Sequence, residues 1–275
     1  MSYRELRALM QAAYGTAPAE RELEWWLEGN PVGSHLAVKE REAADGMSLF
    51  RVAVEGKETL AGFIVHAVTA PDARGRGVFS RLQLANERWA ASSGATVALG
   101  FTTKMATRVL VGKLGWHRLA RPRVWARVRA RRGAALHGDE IRGFGERHEL
   151  IDPVGAAHLL KDARWLDWRY RDSPRPYRLV EHRGGWAVVG IGRHRGLVAG
   201  AILELAGGRR VLRRAVRAID APVVFALPSR GERALYLSAG FVPTPWRLHF
   251  VGRRLDGDAP PPHRWRLSLG DTDFF

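Results

Sequence analysis

Residues 61–89, AGFIVHAVTAPDARGRGVFSRLQLANERW, do most to limit the folds open to this chain. Phe63, Ile64, Val65 and Val68 make an apolar run rich in β-branched and aromatic residues, the pattern of a buried strand. A turn over residues 69–73 leads into Arg74-Gly75-Arg76-Gly77, after which Val78, Leu82, Ala85 and Trp89 recur at the spacing of one helical face. The order strand, glycine loop, helix has a chemical use. Backbone N–H groups in the first turn of a helix lack intrahelical acceptors and sit at the positive end of its dipole. Glycines just before them let a phosphate approach, and Arg74 and Arg76 add charge. The loop is not a Walker loop, because no Gly-Lys-Ser/Thr follows, nor a Rossmann fingerprint, because Ser80 stands at the third glycine position. Two glycines between arginines also read as a plain surface turn; the strand before and the helix after favour the phosphate reading.

The chain around this unit has 275 residues, 46% of them hydrophobic, which suits two domains with proper cores. With no cysteine there is no disulfide framework, thiolate nucleophile or cysteine zinc site, and no metal is expected. The amino terminus, MSYRELRALMQAAYG, is charged where a signal peptide is apolar, and no apolar run approaches the ~20 residues that span a bilayer. The expectation is a soluble cytoplasmic protein without a membrane partner. A net charge of +16 suits phosphate-rich ligands, nucleic acid or an anionic surface; a genome-wide preference for arginine over lysine explains it equally well.

Taken in order, residues 3–13 and 19–27 read as amphipathic helices, the second with Trp25 and Trp26 and closed by Asn30-Pro31. Strands are expected at 35–39 and 49–54, separated by a polar, mobile loop over 40–46, with Glu55-Gly56-Lys57 as a hairpin turn. Beyond the glycine-loop helix lie a strand at 96–101 and a helix at 104–114 that ends at Gly115. Residues 118–132, RLARPRVWARVRARR, alternate Val124, Ala126, Val128 and Ala130 with arginines and Trp125. This reads as a half-buried strand whose arginine face is either a nucleic-acid track with Trp125 as stacking platform or a solvated face.

Residues 133–147, glycine-rich and polar, read as a linker between domains at 1–132 and 148–275. Beyond it the chain repeats itself. Leu23-Glu24-Trp25, Asn30-Pro31 and Leu36 recur 143 positions later as Leu166-Asp167-Trp168, Ser173-Pro174 and Leu179. Ala61-Gly62-Phe63-Ile64 recurs as Ala199-Gly200-Ala201-Ile202, offset by 138, and Gly115-Trp116 as Gly240-Phe241, offset by 125. Three matches in one order imply a duplicated domain. The offset falls by 13 across the interval that holds the glycine loop, and the copy has only Gly207-Gly208-Arg209-Arg210 there, so the second domain is expected to have lost the phosphate site. Arg210, Arg213, Arg214 and Arg217 share a helical face that either grips an anion or is simply solvated. The carboxyl-terminal residues 265–269 alternate like a strand, and the tail ending in Asp271-Thr272-Asp273-Phe274-Phe275 is expected to be packed.

Arg74-Gly75-Arg76-Gly77 after this strand resembles the coenzyme A pyrophosphate loop of the GNAT (GCN5-related) N-acetyltransferases, Arg/Gln-x-x-Gly-x-Gly/Ala. Arg74 and Gly77 match; Phe79 stands where Gly or Ala is usual. Gly115-Trp116 resembles the Gly-Phe with which many such domains leave their last core helix. The tyrosine often found four residues earlier, the acid for the departing thiolate, is Val111 here; in the second half Tyr236 has that spacing and is expected to serve packing. The resemblance implies an α/β fold, a mixed sheet with flanking helices, as two GNAT-like domains in tandem, the second degenerate.

It also implies acetyl transfer from acetyl-CoA to an amine acceptor. The pantetheine arm would lie along Val65, Ala67, Val68 and Thr69 as an added strand, with a backbone N–H near Val68 or Thr69 for the oxyanion. Arg74, Gly75, Arg76, Gly77, Val78, Phe79 and Ser80 would hold the pyrophosphate, with Thr103 as a further coenzyme contact. Candidates for the catalytic base are His66, Asp271, Asp273 and the terminal carboxylate of Phe275. The rival readings are an acyl-CoA-binding sensor or scaffold without turnover and a basic nucleic-acid-binding protein; nucleic acid is the less favoured partner.

Overall fold

The computed structural model describes residues 1–130, 133–149, 157–194 and 197–273. The chain builds two compact units, neither of them one continuous run. The first takes Met1–Ala120, Val154–Leu160 and His249–Trp265; the second takes Arg121–Pro153, Lys161–Leu248 and Arg266–Phe275. The boundaries expected from sequence, 132 and 147, therefore differ from the spatial division. Residues 133–147 are not a bare linker: Ile141 and Phe144 are buried, and Asp139 bridges to Leu179.

In chain order the first half forms α1 (Tyr3–Tyr14), α2 (Glu20–Leu27), β1 (Ser34–Lys39), β2 (Ala43–Val54), β3 (Lys57–Thr69), α3 (Val78–Ser92), β4 (Ala95–Thr102), α4 (Lys104–Lys113), β5 (His117–Ala120) and β6 (Arg123–Val128). Short strands β7 (Ala135–Leu136) and β8 (His158–Leu159) lead to α5 (Ala163–Leu166), which continues as a π-helical turn at Asp167–Arg171. The rest is β9 (Tyr177–His182), β10 (Gly185–His194), β11 (Leu197–Ala206), α6 (Arg209–Ala218), β12 (Ile219–Asp220), β13 (Val223–Ala226), α7 (Arg233–Ser238), β14 (Val242–Arg247) and β15 (His249–Arg254).

Local chemistry explains several boundaries. Ser2 and Glu5 form a reciprocal capping box at the start of α1, and Gly15 ends it at φ 73°, a left-handed conformation that glycine adopts without strain. Glu55 and Gly56, both at positive φ, make the tight β2–β3 turn. Residues 43–46, expected in a mobile loop, instead begin β2, with Ala43 and Asp45 fully buried: their hydrogen-bonding partners come from β1 and β3, which local polarity does not reveal.

The two main sheets repeat one topology. The first runs β1-β2-β3-β4-β15-β5, with β8 beside β2; the second, from the other end, runs β9-β10-β11-β13-β6-β14. In each, a single parallel contact, β3·β4 or β11·β13, sits among antiparallel ones. A helix crosses between the parallel strands, α3 in the first and α6 in the second. The last strands are exchanged: β15 lies between β4 and β5, while β6 lies between β13 and β14.

That exchange corrects the arginine-track reading of residues 118–132. β6 is paired on both edges, and both of its faces are covered here: the successive residues Val124, Trp125 and Ala126 are all buried, and Trp125 belongs to the core of the second unit. Arg127 donates to the carbonyl of Ala239, and Arg129 to those of Val216 and Ile219. Residues 265–269 form no strand beyond a bridge from Trp265 to Ala157, but Leu267, Leu269, Asp271 and Thr272 are buried. Among the described residues no helix is long and apolar enough to cross a membrane.

Candidate active site

The site is built in the first unit, where β3 and β4 part. Their parallel pairing runs from Leu60↔Ala95 to Phe63↔Leu99 and stops. Beyond that point β3 continues to Thr69 against β2 alone, and β4 continues to Thr102 against β15. Among the described residues, a length of β3 edge has no strand partner on the β4 side.

A bulge shapes that edge. Val65 pairs with Gly46 and Val68 with Ala44, so His66 and Ala67 together oppose the single residue Asp45. His66 takes φ 50°, a left-handed conformation that costs a branched or bulky side chain roughly 1–3 kcal/mol. The kink turns the His66 ring onto Trp26, edge to face at 5.6 Å, while Ala67 packs on the opposite side with Ile64 and Ala90.

Which amides face the open edge follows from the ladder. The Ala70 N–H donates to the Glu42 carbonyl at 2.7 Å, and peptide groups of successive residues in an antiparallel strand alternate between edges. Val68 therefore turns toward β2, and Ala67 and Thr69 turn away from it. The hydroxyl of Tyr14, at the end of α1, donates to the Ala67 carbonyl at 2.7 Å on this side. Its ring is 49% exposed, yet desolvation of its hydroxyl end and the nearby Asp45 raise its pKa, against the lowering effect of Arg74.

The glycine loop lies where the sequence places it. A single 3-10 turn, Pro71–Ala73, brings the chain off β3, and residues 74–77 lead into α3. Gly75 and Gly77 adopt φ 81° and 72°, so both positions require a residue without Cβ strain. Ala73 and Val78 are buried anchors on either side, while Arg74, Gly75, Arg76 and Gly77 are exposed. α3 has no side-chain cap and no acidic residue in its first turn, which leaves its first amides available to an anion. Arg74 donates to the carbonyl of Ala13, and Arg81 to that of Arg76, so loop and α1 are tied together. Phe79, the departure from the Gly/Ala pattern, packs on the core that α3 and α4 share with the sheet. Thr103 caps α4 by accepting from the Ala106 N–H, and Val111, in the tyrosine position, packs against that same core.

Sequence periodicity missed the polar layer beneath α3. The buried positions of this helix include Gln83, Asn86 and Glu87, while Leu82, Ala85 and Trp89 are only half buried. Asn86 donates to both the carbonyl and a carboxylate oxygen of Asp45, at 2.7 and 3.1 Å, and its own oxygen meets His35 Nδ1 at 2.8 Å. Glu87 accepts from Trp116 Nε1 and from Arg253. Asp45 is fully buried opposite the bulge, and one of its oxygens has no hydrogen-bond partner among the described residues. Desolvation pushes its pKa up to about 8, with the Glu87 charge adding to the rise and the Asn86 bond opposing it. Polar residues on a buried helical face look solvent-facing in a sequence; only three adjacent polar positions, Gln83 with Asn86 and Glu87, hinted at this layer.

The base candidates are scattered. His66 is 6% exposed and packed on Trp26. Asp271 belongs to the second unit, where it is buried against Lys161 Nζ at 2.6 Å and accepts from the Ser268 N–H. Asp273 is half buried and offers its carbonyl to Arg175; Phe275 lies outside the described residues. Tyr236 is buried edge to face on Phe241, with its pKa raised well above normal by burial.

The chain as a whole aligns with solved structures. A GCN5-related N-acetyltransferase from Kribbella flavida aligns over 93% of this chain and 70% of its own, with TM-score 0.59 and 16% identity. Eis1 from Mycobacterium abscessus aligns over 92% and 71%, with TM-score 0.56 and 14% identity. A protein of unknown function from Enterococcus faecalis, described as a probable N-acyltransferase, aligns over 93% and 70%, with TM-score 0.59 and 12% identity. The chain has the GNAT fold. No family model matches the sequence, and no curated protein matches it. Within the GNAT fold, the second unit repeats the topology but not the loop: residues 207–208 replace residues 70–77, and α6 has 10 residues where α3 has 15.

Proposed function

We propose that this protein is an N-acetyltransferase that moves an acetyl group from acetyl-CoA directly to an amine, with the coenzyme held by the first unit. The observation that carries the reading is the unpaired, bulged edge of β3 leading into a glycine loop at the start of α3. An extended pantetheine arm can add to such an edge through main-chain hydrogen bonds to Ala67 and Thr69. The pyrophosphate oxygens accept from the N–H groups of Val78, Phe79 and Ser80, with Arg74 and Arg76 neutralising its charge.

The chemistry follows from those contacts. A neutral amine attacks the thioester carbon, and the charge that develops on the carbonyl oxygen is met by an edge amide, for which Thr69 is better directed than Val68. The C–S bond then breaks, the thiolate takes a proton, and the amine gives one up to a base. The second unit, without a glycine loop, is a degenerate copy in this reading.

A second reading, coenzyme binding without turnover, is favoured by Val111, a residue with no proton to give. Calorimetric titration of acetyl-CoA into wild type and Gly77→Glu, followed by thiol release over a panel of amines, tests both. Micromolar binding, about −8 kcal/mol, that the variant loses, together with thiol release that depends on an amine, is the expected result. Binding without release on any amine supports the second reading. Absence of binding by the wild type overturns both.

A further inference from the structure

A cluster of cations lies in the second unit, on residues that the acetyl-transfer reading does not use. A cavity of about 600 Å³ opens beside α6. Its wall includes His182 and Arg183 from the β9–β10 turn and Arg209 and Arg210 from α6; Glu149 is the acidic residue on that wall. Arg183 and Gly184 hold φ 48° and 79°, a tight turn whose Arg183 shares the cavity wall with Arg209 and Arg210. On α6 every exposed position is an arginine: Arg209, Arg210, Arg213, Arg214 and Arg217, with Val211, Leu212, Ala215 and Val216 buried beneath.

The cations are close enough to act on one another. His182 is harder to protonate than an ordinary histidine through desolvation and then the charges of Arg214, Arg183 and Arg210. A cluster of mutually repelling guanidinium groups around a cavity is destabilising in isolation, and it favours a ligand that brings several negative charges together. The volume is that of a small-molecule site, and the wall, with four glycines among its residues, offers main-chain amides but no exposed aromatic platform for stacking bases.

We infer that the cavity bounded by His182, Arg183, Arg209 and Arg210 binds a small oligophosphate, either a free phosphate chain or the phosphate tail of a nucleotide. The site is independent of the coenzyme loop, so it stands or falls separately from the acetyltransferase reading. Its two sources share the phosphate chain and differ in whether a nucleoside adds affinity.

The test is calorimetric titration of the full-length protein with sodium tripolyphosphate and, in a second arm, with ATP, at moderate salt. Saturable binding is expected. Arg210→Ala with Arg214→Ala should weaken it at least tenfold, whereas Arg88→Ala with Arg108→Ala, which removes the same charge from exposed positions of α3 and α4, should change it less than twofold. Gly77→Glu should leave it intact. An NMR titration should show the His182 ring pKa rising on addition of tripolyphosphate, as a bound anion beside it requires. Equal affinity for the two probes assigns a free phosphate chain, and tighter ATP binding assigns a nucleotide; both support the site. Loss of binding in Gly77→Glu, an equal effect of both arginine pairs, or saturable binding to duplex DNA without binding to either small probe overturns it.

Discussion

The Tyr14 hydroxyl donates to the Ala67 carbonyl at 2.7 Å, joining the last turn of α1 to the bulged edge of β3. A strand-like ligand on that edge needs the same carbonyl as an acceptor, so the phenol and the ligand compete. Tyr14→Phe is therefore expected to tighten acetyl-CoA binding. A net hydrogen bond of roughly 0.5–1.5 kcal/mol corresponds to about a two- to tenfold gain, read by calorimetry. Weaker binding would mean that the phenol touches the ligand instead.

Asp45 makes stability depend on pH in an unusual direction. Its native pKa of about 8 lies above the unfolded value of about 3.9, so the native state keeps a proton that the unfolded state has released. The contribution of Asp45 is most favourable below about pH 4 and is lost as pH rises toward about 8, at about 1.4 kcal/mol per unit. Asp45→Asn keeps the acceptor for Asn86 but carries no charge. Urea melts should find the variant gaining roughly 2 kcal/mol on wild type between about pH 6 and about pH 8. Parallel curves would show that Asp45 is ionised in the native state.

Gly62 sets how closely α3 lies on the sheet. A Cβ there would meet Ala90 Cβ at 2.9 Å and Met47 Sδ at 2.7 Å; the methionine end can swing aside, but the helix must shift. Gly62→Ala is expected to cost about 1–3 kcal/mol through overpacking, measured as a lower denaturation midpoint. Gly56→Ala meets nothing within 4 Å and serves as the comparison with backbone strain alone.

The buried carboxylates of the second unit rest on one amine. Lys161 Nζ lies 2.8 Å from Glu204 and 2.6 Å from Asp271, and all three side chains are buried. Lys161→Met removes the cation in direct contact with two adjacent carboxylates, leaving only the more distant Arg169 and Arg266, and is expected to cost about 3–5 kcal/mol. Melts at acidic pH should recover part of the loss, since Glu204, whose pKa burial and the Asp271 charge already raise, takes up a proton and relieves the repulsion. A loss that does not depend on pH would assign Lys161 a packing role only.

The sequence was most informative where local and tertiary forces agree. Strand, glycine loop and helix are legible over residues 61–89 because Gly75 and Gly77 answer a purely local need, positive φ. The duplication is legible because paired glycines meet similar demands: Gly62 under Ala90, and Gly200 where a Cβ would collide with Ile219. Asp45, Asn86 and Glu87 were hidden because burial of polar groups is decided by partners far along the chain, His35 and Trp116 among them. Trp125 was misread for the same reason, since an interior strand and an edge strand alternate alike until their neighbours are known.

By itself, then, the sequence determined most of the elements and the glycine loop, which follow from spacing, turn chemistry and φ preferences within about 30 residues of chain, and it carried the repeat in matches more than 100 positions apart. Only the tertiary structure decided that β6 and β15 trade sheets, that β3 has no strand partner on the β4 side beyond Phe63 among the described residues, and that a buried Asp45 lies opposite the bulge. Those outcomes depend on which strand reaches a given edge first and on how completely water is excluded, and neither is a property of any local stretch.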